Sequence, residues 1–560
     1  MVLKTVFPNA RYIHRGVLNQ TITKKNYSSG TPPKSDCPGK EEKPGEQASS
    51  GDGNKSGLVL GVYEAGQKFE LTPTAAEIDQ KSGGKLCRHL NELSCELKLG
   101  KAFVVTDLLK EYSGGVAIAS FGPRDAGFCK LEQLDRAREN IRWGVGAGVR
   151  ALQRRGCARV AVDSPAHADA AAEAALLAAW RFQEYKSCGD RAAETQVSLH
   201  GGSGGDERRQ REFQEGAARA HAQNWARYMA DMPANNMTPV DLAQEAVDVL
   251  CPLGVTVEAR ERSWMEAQRM EAFLAVARGS CQAPLMLDCS LKTSPDAPNV
   301  LIVAKGVTYD SGGLCLKKGE EMSETRGSMA GAAVALAAIR TIAELKVPIN
   351  VCACIPLCEN MISGQCMKVG DVVRALNGLS IQIENTDMEG RLMMADALVY
   401  GQALHKPALV VDVATLTKGV ALAMGGGAFG SFSNSDNVWN ILQRAGATTG
   451  DRPWRLPLWH YYQRQLTDDP AVDLRNQGSG KATACLGAAF LQNFVCGEWL
   501  HLDITGVGRV SHAGAPYLRA RRMTGRPTRT LALALQHVAA ACQASAAPPA
   551  QKSKEARIGK

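Results

Sequence analysis

Six side chains in two short stretches have the types and spacing for hydrolytic chemistry. Lys305, Asp310 and Lys317 lie in VAKGVTYDSGGLCLKKG (residues 303–319), and Asp387, Glu389 and Arg391 lie in NTDMEGR (residues 385–391). The second trio stands at alternate positions, a spacing that on a strand or strand end points every side chain to one side. Alone, a D-x-E-x-R reads as a solvated edge, and a lysine closing an apolar strand such as LIVAK ordinarily carries its charge out to water. Taken together the six read differently. Carboxylates from separate strand ends can bridge two divalent ions about 3.5–4 Å apart, a common arrangement for hydrolysis. Cations beside them can polarise a carbonyl and steady an oxyanion.

Such a constellation needs a rigid frame, and the flanking sequence supplies one. NVLIVAKG, INVCACIPL, ALVVDVATL and WLHLDITG read as buried strands separated by helical stretches. They predict a larger C-terminal α/β domain over residues 232–540, with a central mixed sheet flanked by helices. Upstream, VVTDLL, GGVAIASFG and ARVAVD read as strands, and RARENIRWGVGAGVRALQ and the Ala-rich AHADAAAEAALLAAW as helices. These predict a smaller N-terminal α/β domain over 57–205, joined to the larger one by a linker helix over 206–231. Of the glycine clusters, GVGAG (144–148) falls inside a helical pattern and GGSGG (201–205) reads as a linker. MGGGAFG (424–430) is expected to follow a strand and shape a turn.

The chain has 560 residues, 45% hydrophobic and 22% charged, the balance of a globular protein. No stretch approaches the roughly 18 uninterrupted apolar residues of a membrane helix. The net charge of +8 is modest and concentrated in the tails, so neither a nucleic-acid nor a membrane partner is expected. Seventeen cysteines without a C-x-x-C read as free thiols in a reducing compartment. Residues 1–35 carry Lys4, Arg11, Arg15, Lys24, Lys25 and Lys34 and no acid before Asp36. That is the composition of a mitochondrial presequence, the alternative being a basic tail on a cytoplasmic protein. Residues 1–56 are thus read as presequence and flexible linker, and 541–560 as a low-complexity basic tail.

The motif K-G-x-x-[FY]-D-S-G-G-x-x-x-K followed by N-T-D-x-E-G-R-L resembles the leucyl aminopeptidase family, the M17 dinuclear metallopeptidases of the cytosol-aminopeptidase type. The resemblance runs over about residues 57–540 and includes PANNMTP (233–239), PLCENMISG (356–364), DVATLT (412–417) and MTGRPTRTL (523–531). It implies metal-dependent removal of N-terminal amino acids from peptides, with Zn2+ or Mn2+ in two sites. Asp310 and Glu389 would bridge the metals, Asp387 would complete one site and the Lys305 amine would serve the other. Lys317 would polarise the scissile carbonyl, and Arg391 would hold a bicarbonate acting as general base. A homohexamer is also implied.

The chain departs from the family pattern in MSETRGSMAGAA (322–333), where Ser328 stands in place of a metal-ligand Asp. A neutral hydroxyl does not replace a hard, charged oxygen, so the second metal site is expected to weaken. In the substrate pocket, Thr325, Lys418, Thr505 and Gly508 stand where the family has Met, Gly, Ala and Met. Lys418 is expected to obstruct an apolar leucyl group or to favour an acidic one. Two readings follow: an aminopeptidase with altered metal content and specificity, or an inactive oligomeric structural component. Ligand loss together with a mitochondrial address resembles the divergent sperm leucyl aminopeptidases of insects, structural material of sperm mitochondria.

Overall fold

The computed structural model describes residues 55–66, 68–93, 96–201, 206–509 and 514–546. The presequence reading, most of the GGSGG stretch and the end of the basic tail lie outside the described residues. The short segment Gln183–Ala193 is a unit of its own. It has one 3-10 turn, Cys188–Asp190, and is closed by paired hydrogen bonds between Gln183 and Ala192.

The N-terminal domain is built on a twisted sheet in the strand order Ala102–Val105, Gly115–Pro123, Ser56–Ala65, Arg159–Val162, Gln196–Leu199. Neighbours from Gly115–Pro123 onward run parallel. The helices Arg136–Arg154 and Ala168–Ala179 lie against it. GVGAG does sit inside the first of these, where a Cβ on Gly146 would come 2.8 Å from the Tyr517 backbone nitrogen. Those glycines serve close packing, not a phosphate.

The catalytic-type domain has a mixed sheet whose central strands, Glu498–Asp503, Leu409–Ala414, Asn299–Ala304 and Asn350–Asn360, are mutually parallel. Antiparallel strands Leu285–Leu291 and Phe429–Ser433 flank them. The central strands read as continuous apolar runs because both faces are covered. Val300, Ile302 and Ala304 pack with the helix Ala330–Glu344 on one side, and Leu301 and Val303 with the helix Glu389–His405 on the other. INVCACIPL is such a strand, so Cys352 and Cys354 are buried free thiols.

The structure departs from the sequence reading in two places here. MGGGAFG follows a helix, Lys418–Met424, not a strand. The last helix, Thr528–Ala546, continues past residue 540, where the tail was expected to begin. Alanine-rich composition favours helix as readily as it fits low complexity, and the helix start at Thr528 is packed.

The two domains and the linker helix Glu207–Asp231 are joined by a buried ionic network. Glu173 accepts from Arg142 Nε (2.9 Å), Arg219 Nε (2.7 Å) and Arg529 Nη1 (2.7 Å), one arginine from each part. Arg529 also reaches Asp451 at 3.2 Å, and Arg142 donates to the Thr448 carbonyl at 2.7 Å. Burial alone would raise the Glu173 pKa, but the three arginines hold it far below the ordinary glutamate value. Removing the charge deprives three buried guanidinium groups of the carboxylate they share, so Glu173→Gln is expected to cost about 3–5 kcal/mol. Glu212→Gln, in an exposed pair with Arg208, is expected to cost about 1 kcal/mol or less. Because the Glu173 pKa is depressed, its contribution is complete above the ordinary value of 4.5 and lost as acid approaches the folded value. Denaturant melts of both variants across pH check the ranking; equal losses would remove Glu173 from this role.

Candidate metal centre

The site forms where the parallel strands end, the usual place for ligands in an open α/β sheet. Lys305 directly follows Asn299–Ala304, Asp310 closes the strand Gly306–Asp310, Asn360 closes Asn350–Asn360, and Thr415 follows Leu409–Ala414. After Asp310 the chain reverses through Gly312 (φ +90°) and Gly313 (φ +66°), left-handed conformations that glycine adopts without strain. A Cβ on Gly312 would also meet the Cys315 carbonyl oxygen at 2.5 Å. The reversal, closed by Lys317 N donating to Ser311 O at 2.9 Å, returns Lys317 over Asp310. Its Nζ lies 2.9 Å from Asp310 Oδ2 and also pairs with Asp387.

The NTDMEGR stretch is not a strand end. It is a turn leading into the helix Glu389–His405, whose first residue is Glu389. Thr386 fixes the turn: its hydroxyl donates to Gly312 O (2.7 Å) and accepts from Cys315 N (2.8 Å). Asn385 Oδ1 accepts from Asp387 N at 2.8 Å. Glu389 at the helix start has its charge where the helix dipole favours an anion. Gly390 leaves room for Lys305, whose Cδ would lie 2.8 Å from a Cβ there. The Lys305 ammonium lies 2.6 Å from Glu389 Oε1 and donates to the Thr415 carbonyl at 3.1 Å.

Thus Asp310, Asp387 and Glu389, from a strand end, a turn and a helix start, each offer an oxygen within 4.8 Å of the others. Arg391, two residues (about half a turn) along the helix, is also buried. Its Nη1 donates to Asn476 O at 2.9 Å, while its Nε has no hydrogen-bond partner among the described residues.

The electrostatics follow from burial and crowding. For Asp310 burial acts upward, but Lys305 and Lys317 outweigh it and hold the carboxyl below its ordinary value. Ionised Asp310 then disfavours a further charge beside it. Glu389 is pushed up to about 7, first by burial and then by Asp310. Asp387 is raised by the same two causes. Arg391 is lowered to about 10 by burial. The donor set fits a divalent cation: the ligands are hard carboxylate oxygens. Glu389 Oε1, although ion-paired with Lys305, receives no well-directed hydrogen bond among the described residues.

Ser328 lies buried in the 3-10 turn Thr325–Met329, which packs against the strand Gly306–Asp310. Its carbonyl accepts from the Thr415 hydroxyl at 3.0 Å, the residue whose own carbonyl holds Lys305. Ser328 therefore sits on the Lys305 side of the centre, and no fourth carboxylate joins the three among the described residues. Of the pocket positions, Thr325 donates to the Met322 carbonyl at 2.8 Å and Thr505 to Asp503 Oδ1 at 2.6 Å. Lys418 pairs with Glu321 at 2.5 Å. The structure gives Gly508 no comparable side-chain role.

Three supports escaped the sequence reading. Asn360 donates to Asp310 Oδ1 (3.0 Å) and the Thr386 carbonyl (3.1 Å), and so locks strand end to turn. Asn476 accepts from Glu384 N (2.8 Å) and donates to the Asn385 carbonyl (2.7 Å). Thr386 is the third. Only Asn360 carried a signal, a polar residue closing an apolar strand, where a buried amide must find partners.

Residues 224–532 match the catalytic-domain profile of the cytosol aminopeptidase family, Peptidase M17, and residues 59–188 match its N-terminal-domain profile. The chain is 42% identical to the cytosol aminopeptidase of Xenopus tropicalis over 487 residues, 85% of this chain and 92% of that protein. It is 41% identical to the Homo sapiens cytosol aminopeptidase over 484 residues, 85% and 91% of the two. Among solved structures, the bottromycin maturation enzyme BotP in complex with Mn is similar, with TM-score 0.73 and 28% identity. That match covers 86% of this chain and 99% of BotP. Taken with the carboxylate cluster, these likenesses make a divalent metal the cofactor of this site. The chain belongs to the cytosol aminopeptidase (M17) family.

Proposed function

We propose that this protein is an M17 aminopeptidase body whose metal centre holds one divalent ion tightly and a second weakly. The observation that carries this reading is the trio Asp310, Asp387 and Glu389, the first and last of them buried, with Ser328, a neutral side chain, on the Lys305 side. The reaction class is hydrolysis of the N-terminal peptide bond, and Zn2+ and Mn2+ both suit the oxygen donors.

Asp310, Asp387 and Glu389 would hold the ion, which supplies electrophilic activation of the carbonyl and of a water molecule. Lys305 serves the second site only as a neutral amine, because an ammonium has no lone pair to give. In the structure its nitrogen pairs with Glu389 instead. Lys317 would donate a hydrogen bond to the carbonyl oxygen as negative charge develops there. Arg391, with Nε unengaged among the described residues, would hold a bicarbonate as general base.

A second reading is favoured by the same Ser328: an inactive, oligomeric structural component, of sperm mitochondria by resemblance. Packing surfaces do not depend on the metal ligand, so a homohexamer is expected under both readings. Light scattering on the purified full chain is expected to give a hexamer; a monodisperse monomer at micromolar concentration would exclude it. Residues 1–56 fused to a reporter are expected to carry it into mitochondria, and a diffuse cytosolic reporter would refute the address.

Ser328→Asp is expected to raise Mn2+ bound per chain from near one toward two, measured by elemental analysis after dialysis. Leucyl hydrolysis is expected to recover only when Lys418→Gly is added, since each 1.36 kcal/mol of regained transition-state stabilisation is about tenfold in rate. Vigorous leucyl hydrolysis by the unaltered chain with two tight ions would refute the reading. If the double variant binds two ions and stays inactive, the block lies at Thr325, Thr505 or Gly508.

A further inference from the structure

Lys418 opens the helix Lys418–Met424, where its charge faces the positive end of the helix dipole. Local stability therefore does not account for a cation there. What it meets is a carboxylate: its Nζ lies 2.5 Å from Glu321 Oε2. The two residues belong to the segments that flank the metal centre. Glu321 sits in the short helix Gly319–Met322, just beyond Lys317, which pairs with Asp310 and Asp387. Lys418 follows Thr415, whose carbonyl holds the Lys305 ammonium, and Thr417, whose hydroxyl donates to Asp503 at 2.6 Å. The ion pair thus bridges from the Lys317 side of the centre to the Lys305 side. Both members are open to solvent, Lys418 at 62% and Glu321 at 45% exposure, and a pair so exposed exchanges partners readily. Of the segment's other two acidic side chains, Glu320 and Glu324, the latter is separately engaged with Arg509. Thr325 and Thr505 spend their hydroxyl protons on Met322 and Asp503, so neither has a donor to offer a substrate carboxylate.

From this placement we infer that Lys418 is a specificity-determining residue that selects peptides with an acidic N-terminal side chain, Glu321 being the partner that the substrate carboxylate displaces. The inference rests on the aminopeptidase reading of the metal centre. Glu321 shows the chemistry that Lys418 takes, a glutamyl carboxylate in direct contact. An apolar leucyl group arriving at the same place would desolvate the ammonium without compensation. Discrimination then comes from both terms, attraction for the acid and a penalty for the apolar group.

The test uses the full chain loaded with Mn2+ and non-hydrolysable α-aminophosphonic acid analogues of glutamate and leucine, titrated by calorimetry, so binding is read without turnover. The glutamate analogue is expected to bind at least about tenfold more tightly than the leucine analogue, a preference that shrinks with added salt. Lys418→Gly is expected to reverse the order and Lys418→Arg to keep it. Glu321→Gln, which removes the competing carboxylate, is expected to strengthen binding of the glutamate analogue. A leucine preference in the unaltered chain, or the same ranking in Lys418→Gly, would overturn the inference and leave the aminopeptidase reading intact. Failure of both analogues to bind a chain shown to carry metal would overturn both.

Discussion

Three carboxylates crowded within 4.8 Å of one another, two of them buried, are the constraint that the catalytic-type domain is arranged to satisfy. Like charges so close and so poorly solvated do not persist without countercharge. The chain answers with Lys305 and Lys317, each carried in by a backbone feature that tolerates little else: the glycine reversal after Asp310, and the missing Cβ at Gly390. The ammonium groups neutralise the same oxygens that a divalent ion would take, so metal and lysine compete for them. A lysine that such an ion displaced would be free to act on substrate. Under the aminopeptidase reading, this would take Lys317 from structural partner to hydrogen-bond donor for the substrate carbonyl.

The same bookkeeping explains why one substitution outweighs many. A fourth carboxylate on the Lys305 side would add charge for a second cation, and Ser328 withholds it while leaving the backbone hydrogen bond to Thr415 in place. The fold therefore does not register the loss. Neither does the interdomain network around Glu173, which is built from residues remote from the metal centre in sequence and held by its own arginines. Stability and catalysis are carried by separate ionic clusters, so one can decay while the other is kept.

Much of this was legible in the sequence because buried parallel strands announce themselves as apolar runs, and Asp310 and Lys305 fall at their ends. All six chemistry-bearing residues meet in one place. The geometry that unites them was only partly readable. Alternation at Asp387, Glu389 and Arg391 points to a strand, whereas Glu389 opens a helix, because Thr386 and Asn385 satisfy the turn that precedes it. Asn360 and Asn476 act through backbone partners far away in the chain, and no local pattern encodes a contact of that kind. The helix over the start of the tail was hidden because alanine and glutamine serve helix and low complexity alike. The Lys418–Glu321 contact joins residues 97 apart, so the sequence marked Lys418 as unusual without naming its partner.

Anomalous diffraction from crystals of the full chain grown with Mn2+ would test the metal account most directly. One strong peak within bonding distance of Asp310, Asp387 and Glu389, with at most a weak one on the Ser328 side, is the expected result. Two fully occupied peaks per chain, the second lying against Ser328, would contradict it.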